Sequence, residues 1–325
     1  MNILFLILGL VLILVGANML TDGATSVARR WGMSDLMVGL TIVAFGTSAP
    51  ELVISVTSAA ADNPGIAVGN VVGSNIFNIF AIIGITALVR PIVVERSVLT
   101  TDIPLVVLSS IALLAIGLSI PLDNTDPVVT RVDGVLLLLF FAIFMRHTFS
   151  TAEEMPADEK ASDPSAVEAA RQTIMPLWKG ILWTVLGLAA LIWGGDMFVD
   201  GASGVASSLG VSDAVIGLTI VAMGTSLPEL ATSVTAAVKG NQGIAIGNVI
   251  GSNVFNIFLV LGCSALVRPL PFAGITPFDL LTLTVASVLF WLFAKVYKVR
   301  TITRAEGALL TLCYAGYVAI RLMTL

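Results

Sequence analysis

Residues 39–80 return at 217–258 without a gap, and 30 of the 42 aligned positions are identical. The first copy reads GLTIVAFGTSAPELVISVTSAAADNPGIAVGNVVGSNIFNIF, the second GLTIVAMGTSLPELATSVTAAVKGNQGIAIGNVIGSNVFNIF. Weaker matches continue on both sides at the same offset of 178. Asp22-Gly23-Ala24 pairs with Asp200-Gly201-Ala202, and Arg90-Pro91 pairs with Arg268-Pro269. The chain is a duplication, so one unit has to fold twice and bury the same groups in both copies.

Neither copy has the polar residues that a water-facing surface requires. Hydrophobic residues make up 57% of the chain and charged ones 11%, with a mean hydropathy of +1.01. Soluble domains carry about 25% charged residues. Runs of about 20 apolar residues cross a bilayer as helices. Such runs fall at 2–21, 36–61, 66–89, 102–121, 128–148, 177–199, 212–238, 244–267, 277–297 and 304–324. The first has no positive leading segment and no small-residue cleavage site, so it reads as a membrane helix rather than a signal peptide.

The expected fold class is an all-α integral membrane protein: ten transmembrane helices, with residues 1–325 as a single transmembrane domain. Residues 1–148 form the first repeat and 177–325 the second. Five spans per copy is odd, so the second copy enters the membrane upside down. Inverted repeats of this kind are the architecture of many secondary transporters, with the site near the midplane where the copies meet.

Residues 149–176 are the one long polar stretch, with Glu153, Glu154, Asp158, Glu159, Asp163 and Glu168, and with Pro156 and Pro164. That composition buries too little apolar area to fold alone and predicts a flexible linker. Lys and Arg placement sets the orientation. One side holds Arg29, Arg30, Arg90, Arg96, Arg146, Lys160, Arg171, Lys179, Lys239, Lys295, Lys298, Arg300 and Arg304, and the other only Arg131, Arg268 and Arg321. The basic side is expected to be cytoplasmic, with the linker on it and both termini outside.

Several function classes drop out. No basic face for nucleic acid is visible. Cys263 and Cys313 lie in apolar runs and form no zinc spacing or disulfide framework. His147, the single histidine, sits at a helix end beside Arg146. A membrane enzyme would need a base for Ser48 or Thr47, and no His or Cys partner is in sight.

Glu51 and Glu229 lie within apolar helices. A charge there costs roughly 2.5–3.5 kcal/mol on insertion scales, so it is kept paired, protonated or bound to a cation. No Lys or Arg lies at comparable depth, which leaves a mobile cation or a proton. Thr47 and Glu51 share a helix face, as do Thr225 and Glu229. Ser48 and Ser226 lie three residues before their glutamates. Pro50 and Pro228 cannot donate to the carbonyls of Gly46 and Gly224, so each helix is expected to break just before its glutamate. Hydroxyl, carbonyl and carboxylate oxygens are the ligands that hard cations prefer.

The following span adds Asn70, Ser74 and Asn78 on one stripe, repeated as Asn248, Ser252 and Asn256. Gly65, Gly69 and Gly73, with their copies Gly243, Gly247 and Gly251, read as close helix packing. Asn75 and Asn253 lie off the polar stripe and read as structural. Asp22 and Asp200, near span ends, read equally as structural or as lining the ion path.

The stretches GTSAPE and GTSLPE, each followed by GSN-x-FN, resemble the two α-repeats of the sodium/calcium exchanger superfamily of cation/calcium antiporters. The resemblance extends over the whole layout, and the lack of a large calcium-sensing domain marks a compact prokaryotic member. It implies that Thr47, Glu51, Thr225 and Glu229 are calcium ligands. It further implies that Ala44 and Ala222 offer backbone carbonyls, that Ser48 and Ser226 line the site or hold sodium, and that Ser74 and Ser252 flank it as sodium sites. Asn78 and Asn256 match the pair that completes the middle site. In the family the second of these is usually aspartate, and in potassium-dependent relatives both tend to be.

An amide keeps the oxygen and drops the charge. Two carboxylates neutralise one Ca²⁺, whereas three Na⁺ together would leave one positive charge in excess. The expected function is therefore exchange of Ca²⁺ for Na⁺ by alternating access. A proton-coupled exchanger of Ca²⁺ or of another divalent cation is the alternative, and a glutamate-lined channel a weaker one. The implied partners are inorganic cations and the bilayer, with no cofactor, no nucleic acid and a single chain as the working unit. The first and sixth helices are expected to slide across the rest, with Gly16, Ala17, Gly194 and Gly195 at the gliding contact.

Overall fold

In lipid a backbone N–H or C=O has no water to bond, so an apolar run satisfies itself as a helix. The computed structural model describes residues 2–61, 63–118, 126–153, 175–210, 222–296 and 300–324, and its helices follow the apolar runs. In chain order they are α1 (Asn2–Trp31), α2 (Asp35–Thr47), α3 (Ala49–Ala60), α4 (Pro64–Val89), α5 (Val98–Gly117) and α6 (Arg131–Glu153). The second half supplies α7 (Leu177–Ser208), α8 (Ala222–Gly224), α9 (Leu227–Val238), α10 (Gln242–Val267), α11 (Pro277–Lys295) and α12 (Arg304–Met323). Among the described residues 8 helices are long and apolar enough to cross a membrane, or 9 with the bent pair of α2 and α3 taken as one span. The tenth expected run, 212–238, lies in part outside the described residues.

Two helices exceed their apolar runs. α1 has 30 residues and α7 has 32. At 1.5 Å per residue each is about 45 Å long, beyond the hydrocarbon core of about 30 Å. α6 runs on to Glu153, past the linker boundary expected at 148. The rest of that linker, 154–174, lies outside the described residues.

α1 and α7 pair along their whole length through glycines seven residues apart. A Cβ on Gly16 would stand 2.8 Å from Gly187 O and 2.9 Å from Leu191 N. One on Gly9 would meet Gly194 O at 2.7 Å, one on Gly23 would meet Gly180 O at 2.7 Å, and one on Gly201 would meet Asn2 O at 2.7 Å. Only small residues allow backbones so close. As the numbering rises in α1 it falls in α7, so the pair is antiparallel. Gly9, Gly16 and Gly23 recur at the repeat offset as Gly187, Gly194 and Gly201, so α7 is the copy of α1, turned to run the other way.

α4 and α10 are the most deeply buried helices and form the centre of the molecule. The other contacts come in exchanged pairs. The second half of α4 packs on α12, and that of α10 on α6. Arg131, at the start of α6, donates to Leu266 O and Val267 O at the end of α10. Arg304, at the start of α12, donates to Leu88 O and Val89 O at the end of α4. Four short strands tie the halves: β1 (Ile92–Val93) pairs antiparallel with β4 (Thr301–Ile302), and β2 (Val128–Val129) with β3 (Leu270–Pro271). The chain is a multi-pass, all-α membrane protein with a pseudo-two-fold core.

Candidate ion-binding site

The site begins with the two prolines. α2 ends at Thr47, Ser48 leaves helical geometry at φ −86° and ψ 5°, and α3 starts at Ala49 with a bend of 44°. In the second copy Ser226, at φ −96° and ψ 10°, precedes α9. A proline lacks the N–H that would bond four residues back, so the ladder stops where expected. The break has an electrostatic consequence. Glu51 and Glu229 stand in the first turns of new helices, where free N–H groups favour negative charge.

Both carboxylates are buried, and each is held by the other repeat. Ser48 donates to Glu229 Oε1 at 3.0 Å, and Ser226 donates to Glu51 Oε1 at 3.2 Å. Ser252 adds a longer bond to Glu229 Oε1, 3.4 Å. Among the described residues neither glutamate is in an ion pair; Lys239 pairs with Asp22 and Arg321 with Asp279, both away from the site.

Among the described residues Glu51 Oε2 and Glu229 Oε2 have no hydrogen-bond partner, nor do Ser74 Oγ, Thr225 Oγ1, Asn256 Oδ1 or either end of the Asn78 amide. Buried polar atoms are ordinarily paired. More than half of the unpaired buried side-chain atoms among the described residues belong to the expected site residues. No group of three or more His, Cys, Asp or Glu gathers among the described residues. The shell is two carboxylates with hydroxyls and amides, the donor set of a hard cation rather than of zinc.

The remaining expected residues fall around this pair. Thr47 Oγ1 lies 3.1 Å from Val43 O and 3.1 Å from Asn248 Oδ1. The carbonyl of Ala44 accepts from Ser48 N at 3.0 Å, in the last turn before the break. Ala222 opens the short helix α8 on the equivalent approach.

Asn70 and Asn248 are braces. Asn70 Nδ2 reaches Glu51 O at 3.3 Å and Ser55 Oγ at 3.0 Å. Asn248 Nδ2 reaches Glu229 O at 3.2 Å and Ser233 Oγ at 3.0 Å. Ser55 and Ser233 were missed in the sequence, although their signal was available: each lies four residues past its glutamate, on the same face.

The stripe through residues 70, 74 and 78 is not a straight α-helix. α4 widens into a π turn at Phe77–Ile82 and α10 at Phe255–Val260, so Asn78 and Asn256 sit inside the wider turns. Such turns are frequent at functional sites. Asn75, expected to be structural, reaches across to the second repeat. The glycine stripe of α10 behaves as packing: Cβ atoms on Gly243, Gly247 and Gly251 would stand 2.6–2.7 Å from residues of α2. Asp22 is tied to Lys239 at 2.7 Å, while its copy Asp200 is exposed. His147 is exposed, and Cys263 and Cys313 are free thiols.

The family model described as sodium/calcium exchanger protein matches residues 1–149 and 179–323. The chain is 33% identical over 345 residues to the sodium/calcium exchanger MaX1 of Methanosarcina acetivorans, covering 98% of this chain and 98% of the relative. It is 38% identical over 267 residues to the inner membrane protein YrbG of Escherichia coli K12, covering 81% and 79%. Among solved structures it is similar to the sodium-calcium exchanger NCX_Mj soaked with Na⁺ and Ca²⁺, with a TM-score of 0.81, 33% identity and coverage of 98% and 97%.

Proposed function

The chain belongs to the sodium/calcium exchanger protein family, as a secondary transporter and not an enzyme, and from that premise we propose that it exchanges Ca²⁺ for Na⁺ by alternating access. Ca²⁺ and the coupling ion compete for Glu51 and Glu229, so one must leave before the other binds. The observation that carries this reading is the crossed pair of bonds, Ser48 to Glu229 and Ser226 to Glu51, with the second oxygen of each carboxylate unpaired. Two buried carboxylates without counter-charge oppose closure of an empty site, since burying an uncompensated charge is costly. That favours exchange over leak.

In this reading Thr47, Glu51, Thr225 and Glu229 hold Ca²⁺. Ala44, Ser48, Ser74, Asn78, Ala222, Ser226, Ser252 and Asn256 form the sodium sites or their lining. The site lies near the midplane between the two inverted repeats, 1–148 and 177–325. The antiparallel α1 and α7 are the gliding pair. The basic loops face the cytoplasm with the 149–176 linker, both termini lie outside, and one chain is the transporting unit. In a cell the direction is calcium export.

One observation favours a second coupling ion. Asn78 and Asn256 are both uncharged, so the shell has two formal charges for three Na⁺. Protons carried on the glutamates balance one Ca²⁺ with two H⁺. Uptake of ⁴⁵Ca²⁺ into proteoliposomes under an outward Na⁺ gradient, then under a pH gradient, separates the cases. Uptake driven by Na⁺ alone supports sodium coupling, and uptake driven by pH alone supports proton coupling. Movement of another divalent cation while neither gradient drives Ca²⁺ overturns the calcium reading. Planar-bilayer conductance far above carrier turnover overturns exchange itself.

A further inference from the structure

Asn75 and Asn253 occupy the same place in the two repeats and do different things. Asn253 turns back on its own helix: its Nδ2 donates to Val249 O at 2.7 Å, and its Oδ1 has no partner. Asn75 crosses to the other repeat. Its Nδ2 donates to the backbone carbonyl of Asn253 at 3.2 Å, and its Oδ1 accepts from Asn256 Nδ2 at 3.0 Å. Asn75 and Asn256 are both fully buried.

The polarity of this relay is forced. A backbone carbonyl only accepts, so Asn75 must present its NH₂ there. Its own oxygen then faces Asn256, which must answer with NH₂, since an amide has one donor end and one acceptor end. The Asn256 oxygen is left pointing away from Asn75, buried and unpaired. The copy of Asn256, Asn78, has neither end of its amide paired among the described residues. One amide is locked oxygen-first and the other is not.

We propose that Asn75 is a positioning residue for cation selection: it fixes the Asn256 amide so that its oxygen is a permanent, neutral cation ligand. An aspartate at 256 could make this contact only when protonated, because an ionised carboxylate has no donor for the oxygen of Asn75. The proposal rests on the exchange reading above and deepens it, placing an inequality of the two repeats at Asn256 as well as at the glutamates.

The test is a double-mutant cycle of Asn75→Ala and Asn256→Ala, because residues that act through one contact are non-additive. It is read on half-saturating Ca²⁺, Na⁺ and H⁺ in Ca²⁺/⁴⁵Ca²⁺ exchange, and on calorimetric binding of Ca²⁺ and Na⁺ to the detergent-solubilised chain. Each single variant is expected to weaken the same cation about five- to tenfold, the scale of one lost ligand. The double variant should be no worse than either. Asn253→Ala, the control at the copied position, should stay within about twofold by the same measure. Effects that multiply, effects on different cations, or an Asn75→Ala variant indistinguishable from wild type would overturn the proposal. Variants are compared at matched monodispersity and unfolding temperature, and a misfolded Asn75→Ala is replaced by Asn75→Ser, whose hydroxyl keeps both donor and acceptor. A wild-type chain that binds a cation without exchanging it overturns the exchange reading and leaves the cycle to judge Asn75 on binding. A chain that binds neither Ca²⁺ nor Na⁺ overturns both.

Discussion

The two repeats are nearly the same in sequence where they meet, yet their polar groups are not paired alike. Glu229 accepts from a serine of each repeat, whereas Glu51 accepts only from the opposite one. Thr47 Oγ1 finds Asn248, whereas Thr225 Oγ1 has no such amide partner among the described residues. Lys239 ties the end of α9 to Asp22 on α1, and the position that copies it is Ala61. The bracing bonds do match: Asn70 and Asn248 grip their glutamate carbonyls at 3.3 and 3.2 Å. The bracing bonds and the crossed serine bonds are symmetric, and the other groups that would meet an ion are not.

The comparison breaks first at the glutamates. Glu51→Gln and Glu229→Gln should each cut ⁴⁵Ca²⁺ exchange by about 100-fold, since ligand charge sets the affinity of hard-cation sites. Wild-type rates in either variant would remove that residue from the site, and a large inequality would mean that one repeat carries the ion.

The next effect concerns stability. Gly16 and Gly194 are copies, and both press on the opposing backbone, with Cβ positions 2.8 Å from Gly187 O and 2.9 Å from Ile13 N. Alanine at either should lower stability by about 1–3 kcal/mol, the usual cost of overpacking, read from the unfolding temperature in detergent. Gly195 is the copy of Ala17 and has no atom nearer than 3.8 Å to its would-be Cβ, so Gly195→Ala should be nearly silent. Equal losses at 194 and 195 would refute the close α1–α7 contact.

Ser48→Ala and Ser226→Ala test the crossed bonds. Each should reduce exchange by about tenfold, as expected for one lost hydrogen bond to a charged group. Agreement between them within about threefold would sharpen the symmetric reading of these two bonds.

The smallest effect is at Lys239. An exposed ion pair contributes about 1 kcal/mol or less, so Lys239→Ala should change the ratio of apparent Ca²⁺ affinities on the two faces by no more than about fivefold. Adding Ala61→Lys to that variant should move the ratio the opposite way. An unmoved ratio would show the contact to be incidental.

Much of this is legible in the sequence. Pro50 and Pro228 state a break in the chain, because a missing N–H is a local fact. The duplication at a constant offset implies two similar units, and apolar composition implies lipid around them. The heptad glycines of α1 and α7 are also written in the sequence; Gly16 and Gly194 lie on that seam, whereas Gly195 has no α1 atom among the nearest to its would-be Cβ. The excess length of α1 and α7 was hidden by polar last turns that continue the helix past the apolar run. The π turns at Asn78 and Asn256 were hidden because residue spacing assumes a uniform helix.

By itself, the sequence determined the kinds of groups available, where the backbone would break, and that each group would occur twice. Tertiary structure alone decided who meets whom: Ser48 answers Glu229 rather than the glutamate three residues away, and Asn75 reaches Asn256 while Asn253 folds back on Val249. The reason is range. A proline or a turn acts through bonds along the chain, whereas a 3 Å hydrogen bond between segments about 180 residues apart depends on how two nearly identical helices are tilted and offset. Identical side chains in identical local frames cannot encode that difference, and the packing of the whole chain supplies it.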